Sequence, residues 1–193
     1  GVQTCALPIS VWLANSPEWV FAEFACALLG VLIVPINARF RPDEAQYVLQ
    51  SAHAKVLITQ PSFLSNNYLE RLQEMAGGAL GEGETPSIDA LPELESIVWT
   101  YGDAVPGTVS LETLLDRAAQ TNTTLDFDSL AAERTPEDPA WIFWTSGSTG
   151  RPKGAVLTNH CVSNVWNWTT LADRKSTRLN SSHSSVSRMP SSA

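Results

Sequence analysis

The sequence predicts an α/β fold in which a mostly parallel sheet forms one layer and helices flank it. Short apolar runs rich in β-branched residues, such as Val31–Ile36, alternate along the chain with capped helical stretches. Apolar runs of this kind are typical of strands that are buried on both faces of a parallel sheet. A Ser/Thr/Gly-rich loop follows one apolar run at Thr145–Gly154, and ligands in such folds bind at the carboxyl ends of strands.

The first part of the chain predicts a βαβαβ unit. Its first helix has a hydroxyl N-cap at Ser16 and proline at the first helical position, and Gly30 is placed to end it. The predicted elements are strand Val11–Leu13, helix Pro17–Leu29, strand Val31–Ile36, helix Pro42–Ser51 and strand Lys55–Thr59. We expect the three strands to be parallel neighbours in one sheet, because right-handed crossovers connect strands in this way.

The rest of the chain continues the alternation with less regular spacing. The predictions here are helix Leu64–Ala76, surface loop Gly77–Pro86, strand Ile97–Thr100, a helix from Ser110 to near Gln120, a polar connection Thr121–Pro139, strands Trp141–Trp144 and Gly154–Leu157, and helix Asn159–Thr169. The tryptophans of these strands and helices recur at spacings typical of core residues. We therefore interpret them as packing residues.

Composition excludes several functional classes. The apolar fraction of 44% is enough for a real core, and the formal net charge of −8 argues against a nucleic-acid partner. The longest apolar run, Phe24–Ile36, has 13 residues and is too short to span a bilayer, which takes about 20. Cys26 and Cys161 have no CxxC spacing. We therefore expect no metal framework and a reducing compartment, the cytoplasm.

The two ends of the chain can be encoded by DNA sequences that are reverse complements of each other. Residues 1–9 can be written with codons whose reverse complement encodes residues 173–181 letter for letter. The ends of a natural gene have no reason to show this relation, whereas a sequencing adapter ligated to both ends of an insert produces it. We therefore expect residues 1–9 and 173–193 to be adapter-derived, the latter disordered, and residues 10–172 to be the biological segment.

The run Thr145–Gly154, TSGSTGRPKG, carries the chemistry. Four hydroxyl side chains offer hydrogen-bond donors, three glycines let the backbone turn tightly, and one lysine adds a mobile charge. The hydroxyls belong to Thr145, Ser146, Ser148 and Thr149, the glycines are Gly147, Gly150 and Gly154, and the lysine is Lys153. Donors with one cation suit a polyphosphate, although a solvent-exposed turn is the structural alternative. The run is not a Walker A motif, because Pro152 and Gly154 prevent a helix from starting at the lysine.

The segment FWTSGSTGRPKGAVLT, residues 143–158, resembles the phosphate-loop signature of the adenylate-forming (AMP-binding) superfamily. That superfamily contains acyl-CoA synthetases, luciferases and the adenylation domains of peptide synthetases. Upstream, NSPEW at Asn15–Trp19 and LLGVLIVPINARF at Leu28–Phe40 resemble its front subdomain in the form typical of acyl-CoA ligases. Asn159 is an extra residue relative to the family pattern, so we assign no role to His160. The resemblance implies that residues 10–172 are a partial AMP-binding N-terminal domain.

The resemblance also implies a two-step reaction. A carboxylate attacks the α-phosphate of ATP bound with Mg²⁺, and coenzyme A as co-substrate then displaces AMP to give a thioester. The expected substrate is a small-molecule carboxylic acid, a fatty acid by preference, and the enzyme class is an acid–thiol ligase. The implied phosphate-binding residues are Thr145, Ser146, Gly147, Ser148, Thr149, Gly150 and Lys153. The family's catalytic lysine and Mg²⁺-organising acid lie downstream, so we expect no catalytic residue or metal ligand here and an inactive fragment.

Two other readings stay open on the sequence alone. An amino-acid adenylation domain of a peptide synthetase shares the loop, but Ile36-Asn37 differs from the Leu-Asp usual there in that branch. A catalytically inactive phosphate-binding or scaffolding fragment is the alternative from a different class.

Overall fold

The computed structural model describes residues 8–121, 125–145 and 152–164. The strands are β1 (Ile9–Trp12), β2 (Ile33–Pro35), β3 (Val56–Thr59), β4 (Ser62–Phe63), β5 (Asn66–Asn67), β6 (Gly81–Glu82), β7 (Thr85–Pro86), β8 (Ser96–Trp99), β9 (Val109–Ser110), β10 (Pro139–Thr145) and β11 (Lys153–Thr158). The helices are α1 (Pro17–Leu29), α2 (Pro42–Ser51), α3 (Tyr68–Ala76), α4 (Leu111–Gln120) and α5 (Phe127–Ala132). Residues 159–164 are also helical.

Seven of these strands form one sheet in the order β11-β10-β2-β1-β3-β8-β9. The strand β1 lies parallel to both β2 and β3, with Ile9 opposite Ile33 and Trp12 opposite Thr59. The pairs β3–β8, β8–β9 and β10–β2 are parallel too, and only β10–β11 is antiparallel. The predicted α/β class and the predicted parallel neighbours are therefore confirmed.

The core lies on both faces of this sheet. A larger cluster contains side chains from β1, β2, α2, α3 and β8, among them Trp12, Leu49, Leu72 and Ile97. A smaller cluster on the other face contains Cys26 of α1 with side chains of the sheet. Helices on both faces are what right-handed crossovers in opposite directions along a sheet produce.

Two buried aromatic residues fix the loop that follows β2. The indole N–H of Trp12 donates to the carbonyl of Asn37 at 3.0 Å, and the hydroxyl of Tyr68 donates to the carbonyl of Ala38 at 3.0 Å. The two rings lie 4.8 Å apart between centroids. Each ring therefore fills the core while its polar atom holds the backbone of a loop at the carboxyl edge.

The helix α1 begins and ends at the capping residues that the sequence predicts. The Ser16 hydroxyl accepts from the backbone N–H of Trp19 at 3.3 Å, and Gly30 ends α1 in the left-handed conformation at φ +66°. The face that α1 turns to the sheet was not predictable. Phe21 and Phe24 are exposed, whereas Cys26 is buried, because the helix is apolar on most sides and its periodicity does not select one.

Three stretches differ from the sequence predictions. The helix expected from Leu64 begins at Tyr68, since the Asn67 side chain accepts from the N–H of Glu70 at 3.2 Å and caps it there. The polar connection 121–139 contains α5, which Asp126 caps by accepting from the N–H of Ser129 at 3.2 Å. The surface loop 77–86 contains the two-stranded β6–β7 ladder.

The first strand also begins earlier than predicted, at Ile9 instead of Val11. Ile9 was assigned to the excluded end, yet it is the first residue of β1, and its N–H donates to the carbonyl of Leu32 at 3.0 Å. An isoleucine extends a parallel strand readily whatever the origin of its codon, since it supplies the backbone groups and an apolar side chain. Residues 1–7, 165–169 and 173–193 lie outside the described residues, so the predictions for them stay predictions. Within the described ranges, no helix combines the length and apolar character needed to cross a bilayer.

Candidate functional site

The predicted phosphate loop joins the antiparallel strands β10 and β11. Thr145 lies opposite Lys153 as the last pair before the loop, and the Thr145 hydroxyl donates to the Lys153 carbonyl at 3.4 Å. The strand β10 runs parallel to β2, with Trp141 opposite Ile33. Thr145 therefore lies at the same edge of the sheet as the carboxyl ends of β1, β2 and β3, where ligands bind in open α/β sheets.

Alternate side chains of β10 point to opposite faces of the sheet and pack against aromatic residues on both. Trp141 meets Trp19 of α1 edge to face at 5.6 Å between ring centroids, and it stacks on Phe143 at 5.9 Å. On the other face Trp144 meets Tyr47 of α2 at 5.8 Å. The strand that leads into the loop is therefore fixed by both helices of the βαβαβ unit, so the loop starts from a rigid support.

Gly154 allows close packing between β10 and β11 and does not belong to the turn of the loop. The sequence interpretation of this glycine as a loop residue was wrong. It lies in β11 opposite Trp144. A Cβ at this position would lie 2.9 Å from Cγ2 of Ile142 and 3.2 Å from Cζ2 of Trp144. The side chains of β10 occupy the space that a larger residue would need, so the glycine lets the two strands and their aromatic neighbours pack closely.

The opposite end of the hairpin is closed by a turn that precedes β10. The carboxylate of Asp138 accepts from the N–H of Thr135 at 2.9 Å and from its hydroxyl at 2.7 Å. These bonds hold the pKa of Asp138 below its usual range. The Asp138 carbonyl also accepts from the N–H of Asn159 at 3.0 Å, at the start of the helical residues that follow β11. Asp138 thus organises this turn.

The structure describes two of the seven residues predicted to bind phosphate. Thr145 and Lys153 face each other across the mouth of the loop with exposed side chains. Within the described part of the chain, no carboxylate lies within ion-pair distance of the Lys153 ammonium. Ser146, Gly147, Ser148, Thr149 and Gly150 lie outside the described residues. The mouth of the loop thus presents one hydroxyl and one uncompensated positive charge, a pair that suits an anionic oxygen.

Comparison with known proteins finds a family and several relatives for this chain. A family model described as "AMP-binding enzyme" matches residues 1–191. The mitochondrial medium-chain acyl-CoA ligase of Danio rerio is 29% identical over 161 residues, which cover 81% of this chain and 26% of the relative. The crotonobetaine/carnitine–CoA ligase of Salmonella arizonae is 30% identical over 152 residues, 79% of this chain and 26% of that protein. The chain thus spans about a quarter of the length of these relatives.

Solved structures of ligases also match this chain. A crystal structure of an anthranilate CoA ligase in complex with anthranoyl-AMP matches with a TM-score of 0.62 at 28% identity, over 80% of this chain and 25% of that one. An acetoacetyl-CoA synthetase from Streptomyces lividans matches with a TM-score of 0.60 at 22% identity, over 80% of this chain and 22% of that one. The second likeness concerns the fold alone.

Proposed function

The chain belongs to the AMP-binding enzyme family, and from that membership we propose that it is part of an AMP-dependent acid–thiol ligase. In this proposal the whole protein activates a carboxylic acid with ATP, with Mg²⁺ bound to the nucleotide, and transfers the acyl group to coenzyme A. The relatives named acyl-CoA and crotonobetaine/carnitine–CoA ligases support this branch of the family. A fatty acid is the proposed substrate class, and the cytoplasm is the proposed location.

One observation carries the proposal. The exposed Thr145 and Lys153 form the mouth of a loop at the carboxyl edge of a parallel sheet, and the Lys153 ammonium has no ion-pair partner among the described residues. In the proposal, this cation binds the oxygens of the β- and γ-phosphates and stabilises the charge that develops on pyrophosphate as it leaves. The Thr145 hydroxyl is a further donor, and the rigid hairpin orients both groups.

The residues proposed to act with them are Ser146, Gly147, Ser148, Thr149 and Gly150. Their hydroxyl and backbone N–H groups supply the additional donors that a triphosphate needs. None of these residues transfers a proton in the proposal. The loop binds, orients and then releases the leaving group, and the residues that perform the chemistry of acyl transfer belong to the part of the whole protein that this chain does not span.

The test separates the two half-reactions in the full-length protein that carries this chain. Replacing Lys153 by Ala removes one charge-assisted contact to the triphosphate. We expect adenylate formation, measured as carboxylate-dependent pyrophosphate exchange, to fall by roughly ten- to hundredfold. Thioester formation from a supplied acyl-adenylate should change little, because pyrophosphate has already left.

A matched control is available at the opposite edge of the sheet. Lys55 precedes β3, and its ammonium pairs with Glu95 at 2.8 Å. The substitution Lys55→Ala removes the same charge far from the loop and should leave both half-reactions unchanged. An equal loss in both half-reactions for Lys153→Ala, or a loss in the second alone, would contradict the role given to the loop. Faster exchange with amino acids than with fatty acids would instead favour a peptide-synthetase adenylation domain.

A further inference from the structure

The β10–β11 hairpin contains two registers that differ by one residue. At the base of the hairpin Pro139 lies opposite Thr158, but at the next pair Trp141 lies opposite Leu157. The strand β10 thus advances by two residues where β11 advances by one, which is the pattern of a β-bulge. Because side chains alternate between the faces of a sheet, a shift of one residue moves every side chain of a strand to the opposite face.

The register at the mouth of the hairpin decides where the Lys153 side chain lies. Lys153 is opposite Thr145, so both side chains lie on the face of the sheet that α1 covers. If the bulge moved from the base of the hairpin to its mouth, Trp144 would lie opposite Lys153 instead. The lysine would then point to the face that α2 covers, away from the Thr145 hydroxyl.

An aromatic ring over a glycine fixes the register at the mouth. A Cβ on Gly154 would lie 3.2 Å from Cζ2 and 3.3 Å from Cη2 of Trp144, so the indole lies directly over the glycine. All other residues of β11 carry a Cβ, which would occupy the space of the ring. Gly154 is therefore the one residue of β11 that fits opposite Trp144. Aromatic rings that cover strand glycines pin the register of sheets in this way.

Packing keeps the indole of Trp144 in place. Its ring meets Tyr47 of α2 edge to face at 5.8 Å between centroids, and it packs against the larger core cluster. Within the described part of the chain, the buried indole N–H has no hydrogen-bond partner. A buried donor without a partner costs stability. The contribution of Trp144 therefore comes from the shape of its ring and not from a polar bond.

We propose that Trp144 and Gly154 are positioning residues for adenylate formation. The indole over the glycine fixes the register at the mouth of the hairpin and thereby keeps Lys153 beside Thr145. This inference rests on the phosphate-binding role proposed for Lys153, and it adds two residues that act through the lysine. A misplacement of about 1 Å can lower a rate by about a hundredfold, so a small change of register has a large effect.

The two half-reactions of the full-length protein that carries this chain test the proposal. Trp144→Leu removes the planar ring, and we expect carboxylate-dependent pyrophosphate exchange to fall roughly threefold to thirtyfold. Thioester formation from a supplied acyl-adenylate should stay within about twofold, because the lysine has no part in that step. A mere loss of folded protein would lower both rates by the same factor. Trp144→Phe keeps a ring over Gly154 and loses no hydrogen bond, so both rates should stay within about threefold.

A double-mutant cycle shows whether Trp144 acts through the lysine. In the Lys153→Ala protein, Trp144→Leu should lower pyrophosphate exchange by less than about a further twofold, since residues that act as a unit are not additive. Gly154→Ala provides a second, independent variant. Its methyl group displaces the ring and should give the same selective loss of pyrophosphate exchange.

Trp99 provides a matched control. It is 2% exposed in β8, four strands away from β10 in the sheet. Trp99→Leu should lower stability while the ratio of the two half-reaction rates stays unchanged. The inference alone is wrong if Lys153→Ala is selective but Trp144→Leu and Gly154→Ala slow both half-reactions equally, or if Trp144→Leu has its full effect in the Lys153→Ala protein. An unselective loss in Lys153→Ala would overturn the inference together with the function proposed for the loop.

Discussion

Leu64 has a backbone conformation that costs folding stability. It lies at the turn between β4 and β5 with φ +54°, in the left-handed region that favours glycine, and its side chain is 84% exposed. Left-handed backbone costs a residue with a Cβ roughly 1–2 kcal/mol. Because the exposed side chain contributes little burial in return, this position lowers the stability of the fold.

Replacing Leu64 by Gly should therefore raise the free energy of unfolding. Relief of the left-handed conformation exceeds the extra unfolded-state entropy of glycine, and we expect a net gain of about 0.5–1 kcal/mol in urea denaturation. Gly83 is a matched control for the reverse change, since it also lies at φ +54° and a Cβ there would meet nothing within 4 Å. Gly83→Ala should lower stability by about 1 kcal/mol. A loss of stability in Leu64→Gly would contradict this account.

The residues of the candidate phosphate loop could be selected from the sequence because the chemistry that singles them out is local. A run of hydroxyls, glycines and one lysine after a strand predicts a phosphate-binding loop without knowledge of the fold. The role of Gly154 was not predictable, since it depends on Ile142 and Trp144 across the hairpin.

Elements with a cap and a strong apolar pattern were predicted within a few residues. The helices α1 and α2 have the predicted bounds, because Pro17 and Pro42 mark their first turns. The short elements were missed where the cap was overlooked. The Asn67 cap begins α3 at Tyr68, four residues after the predicted start at Leu64, and the turn after β4 together with β5 occupies the difference. Two-residue strands depend on backbone pairing, which the hydrophobic periodicity of a sequence does not reveal.

The β10–β11 hairpin depends on close packing at Gly154. The substitution Gly154→Ala places a methyl group 2.9 Å from Cγ2 of Ile142, a branched side chain that cannot move aside freely. We expect the free energy of unfolding to fall by about 1–3 kcal/mol, as in other overpacked sites. Val156→Ala in the same strand is the control. Val156 is 59% exposed, so its truncation should change stability by about 0.5 kcal/mol or less. Equal effects of the two substitutions would show that Gly154 has no packing role.

The topology of the whole sheet places the candidate phosphate loop at its carboxyl edge. All pairs except β10–β11 are parallel, so the loops after β1, β3, β8 and β10 leave from the same side. This arrangement was predictable from alternating elements and the right-handed crossover rule. The positions of β8, β9 and β10 in the strand order were not, because long polar connections of variable length precede them and sequence spacing does not determine where such strands join.

The two ends of the chain lead to a prediction about the gene. Residues 1–9 and 173–181 can be written with reverse-complementary codons, and a natural reading frame has no constraint that would produce this relation. Ile9 nevertheless pairs with Ile33 and Val56 in the sheet, so the natural residue at this position should also suit a buried parallel strand.

Amplifying the gene from source DNA, with primers inside residues 10–172 and outward reads, tests both points. We expect codons outside this range to differ from the printed sequence, and position 9 to encode a β-branched or other apolar residue. Recovery of GVQTCALPI and DRKSTRLNS from genomic DNA would show that both ends are genuine.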